Sequence, residues 1–292
     1  MRRILATLAV SGLLLAACAE EQPAVAPPAT GEDACAKENL TLIEPGKLTI
    51  GTDIPAYPPW FDTTKPFKDA SDIDDTGYEG AVAYAIAEKL GFTPDEVTWT
   101  PVPFGQSFKP GPKDFDFDIN QISYVPKRAE SVDFSDSYYD VAQALVAVEG
   151  NPITGAASIA DLKDYTLATQ IGTTSYDYIV SEIAPNEEPG AYNTLNDSIQ
   201  ALKAGQVDGI VVDLPTAFYI TAVQVPDGVI VGQFPPAAGG EQEYFGVVFE
   251  KGSSLVQCVN QAIEELRSEG TLKALEDEWL SSKTDVPVFT SS

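Results

Sequence analysis

Apolar and polar positions along the chain follow two periods in turn. From Leu48 the stretch "LTIGTD" alternates as a strand does, then runs into the Pro- and aromatic-rich "IPAYPPWF". In "YEGAVAYAIAEKLGF" the apolar residues Ala81, Val82, Ala85, Ile86 and Leu90 recur at helical spacing, and Gly91 stands where a helix terminator belongs. Strand patterns return in "EVTWTPV" and "FDFDINQIS", the second predicted to set Phe115, Phe117 and Ile119 on one face. This succession predicts a parallel sheet with helices on its faces.

A similar grammar restarts near Tyr165. "YTLATQIG" reads as a strand and "TTSYDYIVSEI" as a helix whose first turn carries Thr173, Thr174 and Ser175. Asn196 or Asp197 is placed to cap a helix over "SIQALKAG", and "DGIVVD" reads as a buried strand. Two helical runs follow. Val256, Val259, Ile263 and Leu266 share a face of the first, Gly270 breaks it, and Leu272, Leu275 and Trp279 line the second. The echo between "LTIGTD" and "LATQIGTT" points to two α/β lobes built alike rather than one continuous sheet.

The first residues add an address. "MRRILATLAVSGLLLAAC" has a basic start at Arg2 and Arg3, an apolar run from Ile4 to Leu15, and small residues before Cys18. Residues 1–17 therefore read as a secretory signal, too short to stay as a membrane-spanning helix. Leu15-Ala16-Ala17-Cys18 resembles the lipobox at which bacterial lipoproteins are cleaved and acylated, so Cys18 is expected to carry the lipid anchor. Residues 18–38, rich in Ala, Pro and Glu, are expected to be a flexible tether. From Asn39 onward about 250 residues remain, enough for one large domain or two lobes.

Charge and cysteines narrow the chemistry. Lys and Arg number 17 against 44 Asp and Glu; without Arg2 and Arg3 the balance is 15 against 44, a formal charge of −29. That sign excludes nucleic acid as a partner, and the acidity reads mainly as solubility or a salty habitat. Beyond the leader only two arginines occur, Arg128 and Arg267. With no histidine and no cysteine cluster, the usual zinc and histidine-based catalytic constellations are not available. Cys35 and Cys258 are expected to pair in an oxidising compartment, with two free buried thiols as the alternative.

Six stretches in order carry a resemblance: "GTDIPAYPPW", "GYEGAVAYAIAEKLG", "ISYVPKRAESVDFSDSYY", "IGTTS", "ALKAGQVDGIVVDLPTAFYI" and "VNQAIEELRSEGTLKALEDEWL". From about Lys47 to Leu280 the chain resembles the amino-acid-type solute-binding proteins of ABC importers, the bacterial extracellular solute-binding family 3, in lipoprotein form. The resemblance implies an α/β, two-lobed periplasmic-binding-protein-like fold of type II, with Rossmann-like lobes joined by two extended crossovers and closing by hinge motion. Lobe I would take residues 39–141 and 241–292, and lobe II residues 142–240, with Gly239-Gly240 supplying permissive backbone at the return hinge. Cys35 and Cys258 would then both lie in lobe I. The implied protein is a monomer without cofactor that hands a small solute, an amino acid, to an ABC permease and touches the membrane only through its lipid.

An α-amino acid needs a fork of donors for its carboxylate and a fixed anion for its ammonium. Arg128 falls on the family's carboxylate-binding arginine, and a planar guanidinium makes two parallel bonds that the neighbouring Lys127 cannot. Ser123 matches a position that hydrogen-bonds the ligand. Asp213, closing an apolar strand, matches the ammonium-binding aspartate, with helix capping as its structural alternative. Gly172, Thr173 and Thr174 form a strand-to-helix turn whose amides can take a carboxylate, again with a plain cap as alternative. Tyr57 and Phe104 match the aromatic pair that sandwiches the ligand side chain, with Trp60 close by. Asp53 matches a position that meets a polar or cationic side chain, and Glu79 lies in the helix-entry motif.

Departures from the family pattern bear on the ligand. Gln121 replaces a glycine and Gln170 a lysine of the glutamine-receptor type, and "GYEGAV" lacks the acidic residue usual after the aromatic and acidic pair. Both glutamines are able to reshape the pocket or donate to an uncharged ligand. With Asp53 present and no further cation at the side-chain end, the expectation is a polar or cationic amino acid. Two other functions remain open at this point: a dehydratase acting on prephenate-like carboxylates, drafting Glu79 or Asp53 as general acid, and a ligand-sensing lipoprotein without a transport role.

Overall fold

A computed structural model of the chain describes residues 34–61, 67–237, 242–280 and 286–291. Residues 1–17, expected to be a leader, Cys18, expected to carry a lipid, and Gly239-Gly240, expected at the return hinge, lie outside the described residues.

Lobe I begins with β1 (Leu48–Thr52), α1 (Tyr78–Lys89), β2 (Val97–Pro101), the single turn α2 (Phe104–Ser107) and the short β3 (Phe117–Asp118). A turn of helix, α3 (Pro126–Ala129), then β4 (Val132–Phe134) and β5 (Tyr139–Asp140), lead to the first crossover. Lobe II comprises β6 (Gln143–Val148), β7 (Leu167–Gln170), α4 (Thr174–Tyr178), β8 (Gly190–Tyr192), α5 (Leu195–Lys203), β9 (Gly209–Asp213), α6 (Leu214–Tyr219) and β10 (Gly228–Gln233). The return passes through β11 (Tyr244–Phe245) and β12 (Val248–Glu250) to α7 (Leu255–Ser268) and α8 (Thr271–Trp279).

Each lobe has its own five-stranded sheet, in the orders β2-β1-β3-β12-β4 and β10-β6-β9-β7-β8. The sheets are mixed rather than purely parallel. The strands that follow each crossover, β6 and β12, run antiparallel to their neighbours because the chain enters from the hinge end. Between the lobes β5 and β11 pair antiparallel, Tyr139 opposite Phe245, and form a two-stranded hinge.

The burial pattern explains why the strands read as continuous apolar runs. Along β6, Ala144 and Val146 pack on one face of the lobe II sheet and Leu145 and Ala147 on the other, each face covered by its own cluster. In "FDFDIN" the residues Phe115, Phe117 and Ile119 are buried, but only Phe117–Asp118 pair as a strand, and the intervening aspartates are buried too. Asp116 accepts the amides of Ile43 (2.8 Å) and Thr49 (2.7 Å), which is why a carboxylate is tolerated there.

Three expectations are corrected. Helix α5 is capped by Thr194, whose hydroxyl accepts the Asp197 amide at 3.2 Å, so Asn196 and Asp197 lie inside its first turn. The tether expected through residue 38 is already fixed at Cys35, which is disulfide-bonded to Cys258 of α7 within lobe I.

The third concerns the last residues, which do not all belong to lobe I. Residues 286–291 lie on lobe II: the Gln233 amide donates to Pro287 O (2.8 Å), the Phe289 amide to Gln233 O (2.9 Å), and the Ile159 amide to Thr290 O (2.9 Å). Phe289 is buried in the lobe II core, its ring stacked on Phe234 at 4.9 Å. A Cβ on Gly232 would stand 2.8 Å from the Phe289 ring, so the strand needs glycine there.

Candidate functional site

Between the lobes lies a cavity of about 400 Å³ at the ends of β1, β3, β7 and β9. In lobe I, β1 and β3 run parallel with Gly51 opposite Asp118, so their ends deliver Thr52 and Asp53, and Asn120 and Gln121, to the same edge. Lobe II supplies Gln170 from β7 and Asp213 from β9, with Thr194, Asn196 and Thr216 from helix starts. Ligands bind outside the carboxyl ends of strands in open α/β sheets, and this edge is such a place in both lobes.

The charged residues lining this cavity are both acidic, Asp53 and Asp213. Burial raises the Asp53 carboxyl above its ordinary range, while the Phe104 amide, donating to Oδ2 at 3.3 Å, pulls the other way. Asp213 is the N-cap of α6: its Oδ1 accepts the Thr216 amide at 3.2 Å. Burial pushes it up to about 6, with the nearby Glu243 charge adding to the rise. Capping and lining the cavity thus coexist in one residue.

Of the twelve ligand-binding candidates, the cavity brings together Asp53, Tyr57, Phe104, Gln121, Gln170 and Asp213. The others sit in contacts beside it. Arg128 donates from Nη1 to Ser123 O and from Nη2 to Gly172 O, both at 2.7 Å, the second bond reaching from lobe I to lobe II. Its guanidinium lies 4.4 Å from the Phe108 ring centroid and 5.6 Å from that of Phe104, a residue of the cavity lining. Burial lowers its pKa to about 10.

Ser123 donates from Oγ to Glu243 Oε1 at 2.6 Å and stands 3.3 Å from Thr174 Oγ1, which ties the two lobes to the returning crossover. Thr173 caps α4, accepting the Tyr176 amide and donating to Gln170 O (2.8 Å). Trp60 does not line the cavity. Its indole is buried, packed edge-on against Tyr78, Tyr139 and Phe245, and its N–H donates to Thr216 Oγ1 at 2.8 Å. It borders a recess of about 40 Å³ that shares Tyr57, Gln121 and Thr216 with the cavity lining.

Sequence reasoning missed Thr52 and Asn120. Both are buried and line the cavity, and Thr52 Oγ1 and Asn120 Nδ2 have no protein partner. A signal was available, since each directly precedes a residue already singled out, at the end of a strand. Glu79 is fully buried and outside the cavity wall; its Oε1 accepts the Gln121 amide at 2.7 Å and the Tyr138 hydroxyl, and its Oε2 accepts Gln121 Nε2. Burial pushes its carboxyl up to about 7, against the pull of these donors. Among the described residues no group of three or more Cys, Asp or Glu is arranged to hold a metal ion.

Two α/β lobes, a two-stranded hinge and a polar cavity between them define a solute-binding protein of the type that closes on its ligand. The profile of the bacterial extracellular solute-binding proteins, family 3, matches residues 48–282, and the chain belongs to that family. It is 25% identical over 223 residues to the arginine-binding extracellular protein ArtP of Bacillus subtilis (strain 168), covering 75% of this chain and 83% of the relative. To the L-cystine-binding protein TcyJ of Escherichia coli (strain K12) it is 29% identical over 242 residues, 82% of this chain and 84% of the relative. Among solved structures, an ancestral arginine-binding protein bound to arginine superposes with a TM-score of 0.64 at 29% identity, covering 80% of this chain and 98% of the other. The chain is therefore an extracytoplasmic solute receptor, and no helix among its described residues is long and apolar enough to cross a membrane.

Proposed function

We propose that this receptor takes a cationic α-amino acid of the arginine type and passes it, enclosed, to an ABC import permease. The observation that carries the reading is the pair of carboxylates, Asp53 in lobe I and Asp213 in lobe II, as the charged residues lining the cavity. Two half-buried carboxylates facing one space are costly unless a cation joins them. A ligand with two positive groups answers both: the α-ammonium at Asp213 and the side-chain cation at Asp53, with Tyr57 and Phe104 as apolar walls along its stem.

In this reading Arg128 takes the α-carboxylate by exchanging its bonds to Ser123 O and Gly172 O for two to the ligand. Thr52 and Asn120 supply further polar contacts at the side-chain end. The protein acts as a lipid-anchored monomer, tied to the membrane through Cys18, and performs no catalysis; the relatives named above are binding proteins.

Titration calorimetry with arginine, lysine, glutamate and glutamine tests the ligand class. Arginine or lysine is expected to bind at least tenfold tighter than glutamine, with glutamate weakest. Preference for glutamate would overturn the reading. Metabolic labelling with a fatty acid, compared between the natural chain and Cys18→Ala, tests the anchor; equal labelling would sink it.

A further inference from the structure

Glu79 makes bonds that reach the cavity although it does not line it. It sits in the first turn of α1, wholly buried, and all three groups aimed at it are donors: the Gln121 backbone N–H, the Gln121 side-chain Nε2 and the Tyr138 hydroxyl. Gln121 itself stands at φ +47°, a left-handed conformation that residues with a Cβ seldom adopt. Backbone and side chain of the same residue are thus held by one carboxylate. A side-chain amide carries a donor end and an acceptor end, and the way it points decides what a ligand meets.

We propose that Glu79 is a positioning residue for selectivity: by holding the Gln121 NH2 group inside lobe I it leaves the Gln121 carbonyl oxygen to face the ligand. The inference rests on the cationic-ligand reading and deepens it. Gln121 then adds a neutral acceptor to the carboxylates of Asp53 and Asp213, in place of the donor to an uncharged ligand that its residue type alone allowed. A guanidinium has donors only and fits such a lining. Citrulline has the same length but ends in a urea, whose carbonyl would meet an oxygen instead of an N–H. The selectivity against it comes from an unpaired acceptor, not from size.

The test is calorimetric titration of arginine and citrulline into the natural protein, Glu79→Gln and Gln121→Met. The natural protein is expected to prefer arginine by about a hundredfold. In Glu79→Gln the new amide is able to donate to the Gln121 carbonyl, which lets that side chain turn over, and the preference should fall about tenfold. Gln121→Met should lose about tenfold in arginine affinity while citrulline changes little. Equal weakening of both ligands in Glu79→Gln, or an unchanged arginine-to-citrulline ratio in Gln121→Met, would overturn the positioning role. Gln121 is only partly buried, so its variant decides the matter even if Glu79→Gln does not fold. A natural protein that binds citrulline as tightly as arginine, or binds neither, would overturn the cationic reading itself and this inference with it.

Discussion

The Trp60 indole N–H and the Thr216 hydroxyl meet at 2.8 Å across the two lobes, and both residues are buried. Around the indole stand Tyr139 and Phe245, the two residues that face each other in the hinge ladder. The bond therefore ties lobe II to the packing of the hinge. Trp60→Phe keeps most of the ring contacts and leaves the Thr216 hydroxyl without this donor, at a cost of about 1 kcal/mol to this arrangement of the lobes. Small-angle scattering of the ligand-free variant should show a larger radius of gyration, and arginine affinity should fall several-fold. An unchanged radius and affinity would remove Trp60 from the closing mechanism.

Arg128 and Arg267 give opposite expectations. Arg128→Ala should weaken amino-acid binding by about 2 to 5 kcal/mol, the range for removing one partner of a buried charge pair. Arg267 lies on α7 beside Glu264, away from the cavity, and its replacement by alanine should leave affinity within experimental error. Calorimetry on both variants, with circular dichroism to verify the fold, makes the comparison; equal effects would refute the assignment.

Asp213 predicts a pH dependence. Burial pushes its carboxyl up to about 6, and a bound ammonium favours the ionised form, so binding lowers that pKa and releases a proton below it. Affinity should thus rise with pH through about 6 and level off above 7. Titrations in buffers of different ionisation enthalpy should show proton release at pH 5.5 and almost none at pH 8. Proton uptake at pH 5.5 would contradict a cation at Asp213.

Phe289 should matter to lobe II. Phe289→Ala removes a buried ring that stacks on Phe234 and fills the space above Gly232, and a cost of about 3 to 5 kcal/mol is expected. Denaturant unfolding followed by fluorescence should shift to a lower midpoint, or split into two transitions as lobe II unfolds first. A midpoint unchanged within error would mean that the segment contributes nothing to the core.

Periodicity made the main elements legible. The apolar spacing in α1, the run in β9 and the faces of α7 all follow from side chains that must be buried on one or both sides, and the two-lobed class follows from their order. What periodicity does not carry is partner choice. Nothing in "IPAYPPWF" separates Tyr57, which lines the cavity, from Trp60, whose only donor is engaged by a residue 156 positions away. Thr52 and Asn120 were missed for the same reason: their meeting depends on the register of β1 against β3. The glycine-like backbone at Gln121 was hinted at only by the glycine of the glutamine-receptor type, and the acceptor that holds it there, the Glu79 carboxylate, comes from another element.

The pairing of residues 286–291 with lobe II has a practical corollary. The Cys35–Cys258 disulfide fixes the first described residues to lobe I, whereas the last described ones ride on the other lobe. Glu38 and Ser291 are both exposed, so a donor and an acceptor fluorophore attached at those positions would sit on bodies that swing relative to each other. Energy transfer between them would report lobe movement directly, turning the receptor into an optical gauge of its own solute without any insertion into either lobe.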